Sequence, residues 1–268
     1  MSIETPVEAA TAADAPERSV PPERGLRWRL GVAAVVLGGT IVAFGGNGQW
    51  TDATTAHTLA LPIDRWIPFV PASIYVYSWV YTSMLYPLFV VRSSQLFART
   101  AAAYVLVIVA SLTTYLAFPV TSLGFRPDVS HLDPNVFHEW GIRLTFFVDP
   151  PTNLFPSLHV SIAAISALAA WKARRLFGLV ALPLVVGIVV SISTMKQHYV
   201  LDGVAALALA GFAYALLLRP YDAADDPAHV GPTAYTWRGP ALYVAFHASV
   251  YASLYAGFRL GFRPWEMG

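Results

Sequence analysis

Six apolar runs succeed one another along the chain, each close to the ~20 residues that carry a helix across a hydrocarbon layer. They cover residues 29–46, 69–91, 98–118, a run from Pro156 or Ser157 to Trp171, 176–193 and 202–218. A seventh, 241–262, is more amphipathic and carries His247 and Arg259, so it either spans or lies at the interface. Such runs leave few architectures open. In hydrocarbon every backbone N–H and C=O needs an internal partner, and without barrel alternation only a helix supplies it. The expected fold is all-α: a polytopic transmembrane helical bundle of six core spans with a seventh C-terminal segment. Composition agrees. Charged residues make up 12% of the chain and hydrophobic residues 56%, against about 25% charged in a soluble domain. That excludes a disordered chain, a coiled coil and almost any soluble enzyme. A net charge of +1 gives no footing for nucleic acid, and with no cysteine there are no disulfides, thiol nucleophiles or Cys-ligated metals.

Residues 1–25 are rich in Ala, Pro, Glu and Thr and read as a disordered cytoplasmic tail. Glu4, Asp14 and Glu17 stand where a secretory signal would be basic, so the first run reads as a retained span. Residues 26–219 then form the membrane core, 220–240 a polar connection and 241–268 the last segment. Orientation follows from arginine and lysine. Arg18, Arg24, Arg27 and Arg29 precede the first run, and Arg92 and Arg99 flank the second connection. Lys172, Arg174 and Arg175 fill the turn after the fourth run, and Arg219 and Arg238 follow the sixth. This side is read as cytoplasmic, in the cell membrane. The 119–155 loop and the 194–201 turn then face outward. A connection as long as 119–155 is expected to have a function or structure of its own.

Two segments break the apolar pattern. F-P-S-L-H-V, residues 155–160, opens the fourth run. S-I-S-T-M-K-Q-H-Y-V-L-D-G, residues 191–203, joins the fifth to the sixth. Ionisable groups at the edge of a bundle are functional candidates. His198 lies 39 positions after His159, which fits one helical hairpin out and back, so both imidazoles belong at one depth. His198 and Asp202 are four apart, on one face of a helix. A carboxylate on the distal ring nitrogen fixes the tautomer and raises the basicity of the other nitrogen, as a nucleophilic or general-base histidine requires. Pro156 and Ser157 resemble a helix start, whose free N–H groups suit a phosphate.

P-S-L-H followed by S-x6-H-x3-D resembles the second and third motifs of the type-2 phosphatidic acid phosphatase superfamily, over residues 110–218. F-P-S-L-H-V with K-Q-H-Y-V-L-D is most similar to its inositol phosphorylceramide synthase-like branch. The resemblance implies His198 as a nucleophile forming a phosphohistidine, Asp202 as its orienter, His159 as acid to the leaving oxygen, and Ser157 as a phosphate ligand. The family's first motif, Lys-x6-Arg-Pro, ends here at Arg126-Pro127 but has Pro119 at the Lys position. Its third motif, Ser-Arg-x5-His-x3-Asp, keeps Ser191 but has Ile192 for Arg, and Leu158 replaces the Gly of the second. Lys196, Arg126 and Arg143 are the expected substitutes for the missing cations, with Ser191 beside them. The departures weigh against simple phosphatase activity more than against phosphodiester chemistry. The implied substrate is a phospholipid or other lipid phosphate in the bilayer, with a lipid alcohol or water as acceptor and neither metal nor cofactor.

Plainer readings stand beside these. The histidines could be structural and bonded across helices, and Lys196 an interfacial lysine. His131, Asp133, His138 and Glu139 fit no compact ligand pattern and read as a solvated loop. Arg143 and Asp149 read as a loop salt bridge. A proton- or anion-coupled transporter is the rival from another class, though a transporter's related halves have no counterpart as an internal repeat here. A non-catalytic scaffold is the third.

Overall fold

The computed structural model describes residues 24–222 and 236–267. Most of the expected tail and of the polar connection, residues 1–23 and 223–235, and residue 268 lie outside the described residues. Among the described residues the fold is all-helical, with no strand beyond two isolated bridges, His57 to Val120 and Val120 to Asn153. The helices are α1 (Leu26–Trp50), α2 (Pro62–Trp66), α3 (Ile74–Tyr77), α4 (Val80–Ser83), α5 (Tyr86–Val90), α6 (Ser94–Ala117), α7 (Phe137–Val148), α8 (Leu158–Ala173), α9 (Arg175–Thr194), α10 (Val200–Ala213) and α11 (Arg238–Arg259). Four are long and apolar enough to cross a membrane: α1, α6, α9, and α10 with the π-helical turn Tyr214–Leu218 that continues it.

The other two expected core spans look different. The run 69–91 is a chain of short helical pieces rather than one helix. Trp79 N, Tyr81 N, Thr82 N and Leu85 N each donate to the carbonyl three residues back, which is 3-10 rather than α geometry. Pro87 has no N–H to offer Ser83 O, the carbonyl four residues before it. The Ser166 hydroxyl of α8 donates to Ser83 O instead at 2.8 Å, and Tyr104 Oη of α6 donates to Met84 O at 3.2 Å. Neighbouring helices thus satisfy what the broken helix frees. The fourth run is α8, 16 residues and roughly 24 Å long. It is the hub, packed against α4, α5, α6, α9 and α10. Ala163, Ala164, Ala167, Ala169, Ala170 and Ala173 are all buried in it, and small residues let neighbouring backbones approach.

The outer loop is partly helical: α7 lies within it and packs on α3 and α11. The seventh run forms α11, a 22-residue helix less apolar than the four spanning candidates. It packs on α5, where a Cβ at Gly239 would stand 2.4 Å from Phe89 O. It ends in a Schellman motif. Gly261, at φ +74, sends its N–H to Phe258 O, and Phe262 N donates to Gly257 O, both at 3.0 Å.

Candidate active site

Two local structures build the site. The first is the start of α8. Ser157 is its N-cap residue, and the first intrahelical bond runs from Ser161 N to Ser157 O. The N–H groups of Leu158, His159 and Val160 therefore precede the helical ladder. Ser157 N donates to Asp202 O at 3.1 Å and Ser161 Oγ to Ala206 O at 3.2 Å, lashing α8 to α10. Tyr115 Oη of α6 holds Pro156 O at 2.8 Å. The second is the turn from α9 to α10. Gln197 N and His198 N both donate to Ile192 O, at 3.0 and 3.1 Å, which folds the turn back on the end of α9. Asp202 Oδ2 accepts from Tyr199 N at 2.9 Å and so caps α10.

Together they bring His159 and His198 into contact, His159 Nδ1 lying 3.2 Å from His198 Nε2. His198 is buried at 3% exposure, Ser157 and Asp202 fully so, and His159 partly. His198 Nδ1 lies 3.1 Å from Leu154 O and 3.3 Å from Asp202 Oδ2. A carbonyl can only accept, so Nδ1 carries the proton and shares it between the two. The lone pair is then on Nε2, which faces His159 Nδ1 and, at 3.3 Å, Ser157 Oγ. This is the tautomer and orientation that a nucleophilic nitrogen needs.

A wall of aromatic rings encloses His159: Phe44, Tyr77 and Tyr81, with centroids 6.0, 5.7 and 6.2 Å away. Both tyrosine hydroxyls donate to Asp149 Oδ2, at 2.8 and 2.7 Å. Arg126 completes the shelf. Its guanidinium donates to Asp149 O at 2.8 Å, to Pro150 O at 3.4 Å and to Gln197 Oε1, while Nε is buried without a partner among the described residues. Burial pulls this guanidinium below its ordinary value, and the Asp149 carboxylate acts the other way.

Of the eight residues singled out from the sequence, His198, His159, Asp202, Ser157 and Arg126 gather here. Three are directed elsewhere. Lys196 Nζ donates to Asp64 O at 2.9 Å and to Ile67 O, at the end of α2. Ser191 Oγ returns to Ile188 O of its own helix at 2.9 Å. Arg143 lies over the Trp265 ring at 4.8 Å and reaches Leu132 O, so the expected pairing with Asp149 gives way to the two tyrosines. His247, on the seventh run, is buried, with Nδ1 3.0 Å from Thr82 Oγ1. Tyr77, Tyr81, Asp149 and Gln197 were not foreseen. The i,i+4 spacing of the two tyrosines was their one signal, in a run where aromatics are ordinary. Among the described residues no group of three or more His, Asp or Glu is placed to hold a metal ion. In the outer loop Glu139 Oε2 accepts from Asp133 N at 2.6 Å, and Asp133 Oδ1 from Asn135 N at 2.8 Å.

A family model described as the PAP2 superfamily matches residues 51–216, a span that holds His159, His198, Asp202, Ser157 and Arg126 and leaves α1, with Phe44, and α11 outside. No curated protein and no solved structure matches the chain.

Proposed function

The chain belongs to the PAP2 superfamily, a family of phosphatases acting on phosphate esters, and on that footing we propose that it is an integral-membrane enzyme cleaving a lipid phosphate ester or diester. The observation that carries this is the environment of His198: Nδ1 held by two acceptors, and the Nε2 lone pair turned toward His159 and Ser157.

In the first step the Nε2 lone pair attacks phosphorus. The N–P bond forms as the P–O bond to the leaving group breaks, and protonated His159 gives its proton to the departing oxygen. In the second step water or a lipid alcohol attacks the phosphohistidine, neutral His159 takes its proton, and His198 is released. Arg126 and the N–H groups that open α8 stabilise the equatorial oxygens. Asp202 offsets positive charge on the imidazole in both steps.

The finer reading has the pieces 71–90 and α8 as the second and fourth of six spans, with the N-terminus cytoplasmic and the site facing the outer leaflet. The transferred group is a phosphoryl headgroup, inositol phosphate in the branch that the motifs resemble. Arg126 is set against the carboxylates of Asp149 and Asp202, and so little positive charge suits a singly charged diester better than a doubly charged monoester. Incubation of the purified protein with a panel of phospholipids, phosphatidylinositol included, and an added lipid alcohol tests this. Released phosphate, or a phosphorylated headgroup freed from a diester, marks hydrolysis, and a new phospholipid marks transfer. Neither product from any member of the panel overturns the reading.

A further inference from the structure

Two residues that touch neither histidine bind the turn carrying His198 to α2. Asp64 is the middle residue of α2 and is fully buried. A carboxylate in that position is costly unless its oxygens are used. Both are: Oδ2 accepts from Leu61 N at 2.7 Å and Oδ1 from Val200 N at 2.8 Å. Val200 is the first residue of α10, and its N–H is one of those a helix leaves unpaired. Two carboxylates therefore grip one turn, Asp202 at Tyr199 N and Asp64 at Val200 N.

Lys196 returns the grip. It stands two residues before His198 at φ +57, a left-handed conformation that a side chain with a Cβ seldom adopts. From there its ammonium reaches Asp64 O and Ile67 O, carbonyls at the end of α2, and lies over the Phe125 ring at 4.6 Å. Val70 N donates to Thr194 O at 3.0 Å, and Thr194 Oγ1 to Ser73 Oγ at 2.7 Å, which extends the seam. His198 sits inside the gripped stretch. Its contact with Asp202 is 3.3 Å, with little slack before it opens.

We propose that Asp64 and Lys196 are positioning residues: a reciprocal clasp between α2 and the 196–200 turn that holds His198 against Asp202 and sets the rate of the phosphoryl-transfer step. The clasp rests on the reading of His198 as the nucleophile. It assigns Lys196 to the turn rather than to the substrate, and it gives a role to Asp64, which no motif marks.

The tests are Asp64→Asn, Lys196→Asn and Lys196→Arg in the full-length protein. Asn at 64 places an NH2 against one of two N–H donors. Asn at 196 removes the ammonium yet tolerates a positive φ, which separates lost bonds from backbone strain. Arg at 196 keeps the donors. In rapid-quench experiments with a turned-over phospholipid, the burst rate should fall about ten- to hundredfold in Asp64→Asn and Lys196→Asn. KM should stay within about twofold, the burst amplitude should be retained, and Lys196→Arg should recover most of the rate. Hydrogen exchange of amides 198–202 should quicken in the two Asn variants while α6 and the interior of α8 keep their protection.

A lowered amplitude at unchanged burst rate reports lost folded protein and overturns the proposal. A raised KM with weaker inhibition by inorganic phosphate makes Lys196 a substrate ligand and overturns it as well. Exchange at 198–202 that does not change removes the clasp whatever the chemistry. Wild type that turns over phospholipid with no acid-labile phosphate removes the covalent nucleophile instead. In that case faster exchange in the Asn variants still upholds the clasp.

Discussion

Asp202→Asn separates the two acceptors on His198. In a triad where one carboxylate alone sets the imidazole tautomer, its amide replacement costs about ten-thousandfold. Here Leu154 O lies closer to Nδ1 than Asp202 Oδ2 does, 3.1 against 3.3 Å. The backbone carbonyl keeps the proton on Nδ1 after the substitution, so the tautomer survives. What is lost is charge. A hydrogen bond to a charged group is worth ~1.5–3 kcal/mol and a neutral one ~0.5–1.5 kcal/mol. The difference of roughly 1–2 kcal/mol in the transition state is a fall of about five- to thirtyfold. Asn keeps an oxygen for Tyr199 N, so the helix cap stays. The assay is single-turnover rapid quench on wild type and Asp202→Asn with the same lipid substrate, with circular dichroism to verify helix content. A ten-thousandfold loss would refute the argument that Leu154 holds the tautomer. A loss under about twofold would separate Asp202 from the chemistry.

Arg126→Met should lower kcat/KM by roughly a hundredfold or more, and Arg126→Lys should recover only part of it, because one ammonium cannot span Asp149 O, Pro150 O and Gln197 Oε1; steady-state kinetics of the pair decide. Ser166→Ala leaves the Ser83 carbonyl freed by Pro87 without its donor and should cost ~1–3 kcal/mol of stability; an unchanged thermal midpoint in detergent counts against it. Because the chain has no cysteine, single cysteines report topology cleanly. In intact cells an impermeant thiol reagent should label Ser130→Cys and spare Arg174→Cys, and the reverse pattern inverts the orientation.

The histidine cluster was legible because its residues sit at distances that helices fix. A four-residue step brought His198 to Asp202, and one hairpin brought His198 to His159. Arg126 was found through a motif ending rather than through geometry. Lys196 misled because a lysine two residues from the proposed nucleophile has the right charge in the right place in sequence. Its direction is set by a positive φ and by the carbonyls of α2, which no local pattern encodes. Asp64 was invisible for the same reason, since its partner is 136 residues away. The break in the run 69–91 was half legible. Pro71, Ser78, Thr82, Ser83 and Pro87 all disfavour an uninterrupted helix, but apolarity dominated that reading, and the donors that tolerate the break come from other helices.

The contact between the two imidazoles bears on how the site must work. A phosphoryl group cannot lie between nitrogens 3.2 Å apart. In-line displacement places the leaving oxygen beyond phosphorus, and the acid a further ~2.6–3.2 Å out. One ring must therefore move, and the surroundings select which. His198 is pinned at Nδ1 by Leu154 and Asp202, in a turn gripped from both sides. Among the described residues the ring of His159 is hydrogen-bonded only to His198 Nε2, the contact that opens, and it is bordered by rings that it can slide along. The proposed mechanism therefore has it swing away from His198 as phosphate enters, toward the tyrosines held by Asp149. Arg126 grips the backbone of Asp149, so the proposed phosphate-binding cation and the wall that would limit the swing of the proposed acid are one structure. Tyr81→Phe cuts one tether of that wall while leaving His198 untouched. It should therefore slow esters with poor leaving groups, which need the proton of His159, more than activated aryl esters. Equal slowing of both classes would mean that the wall does not guide the acid.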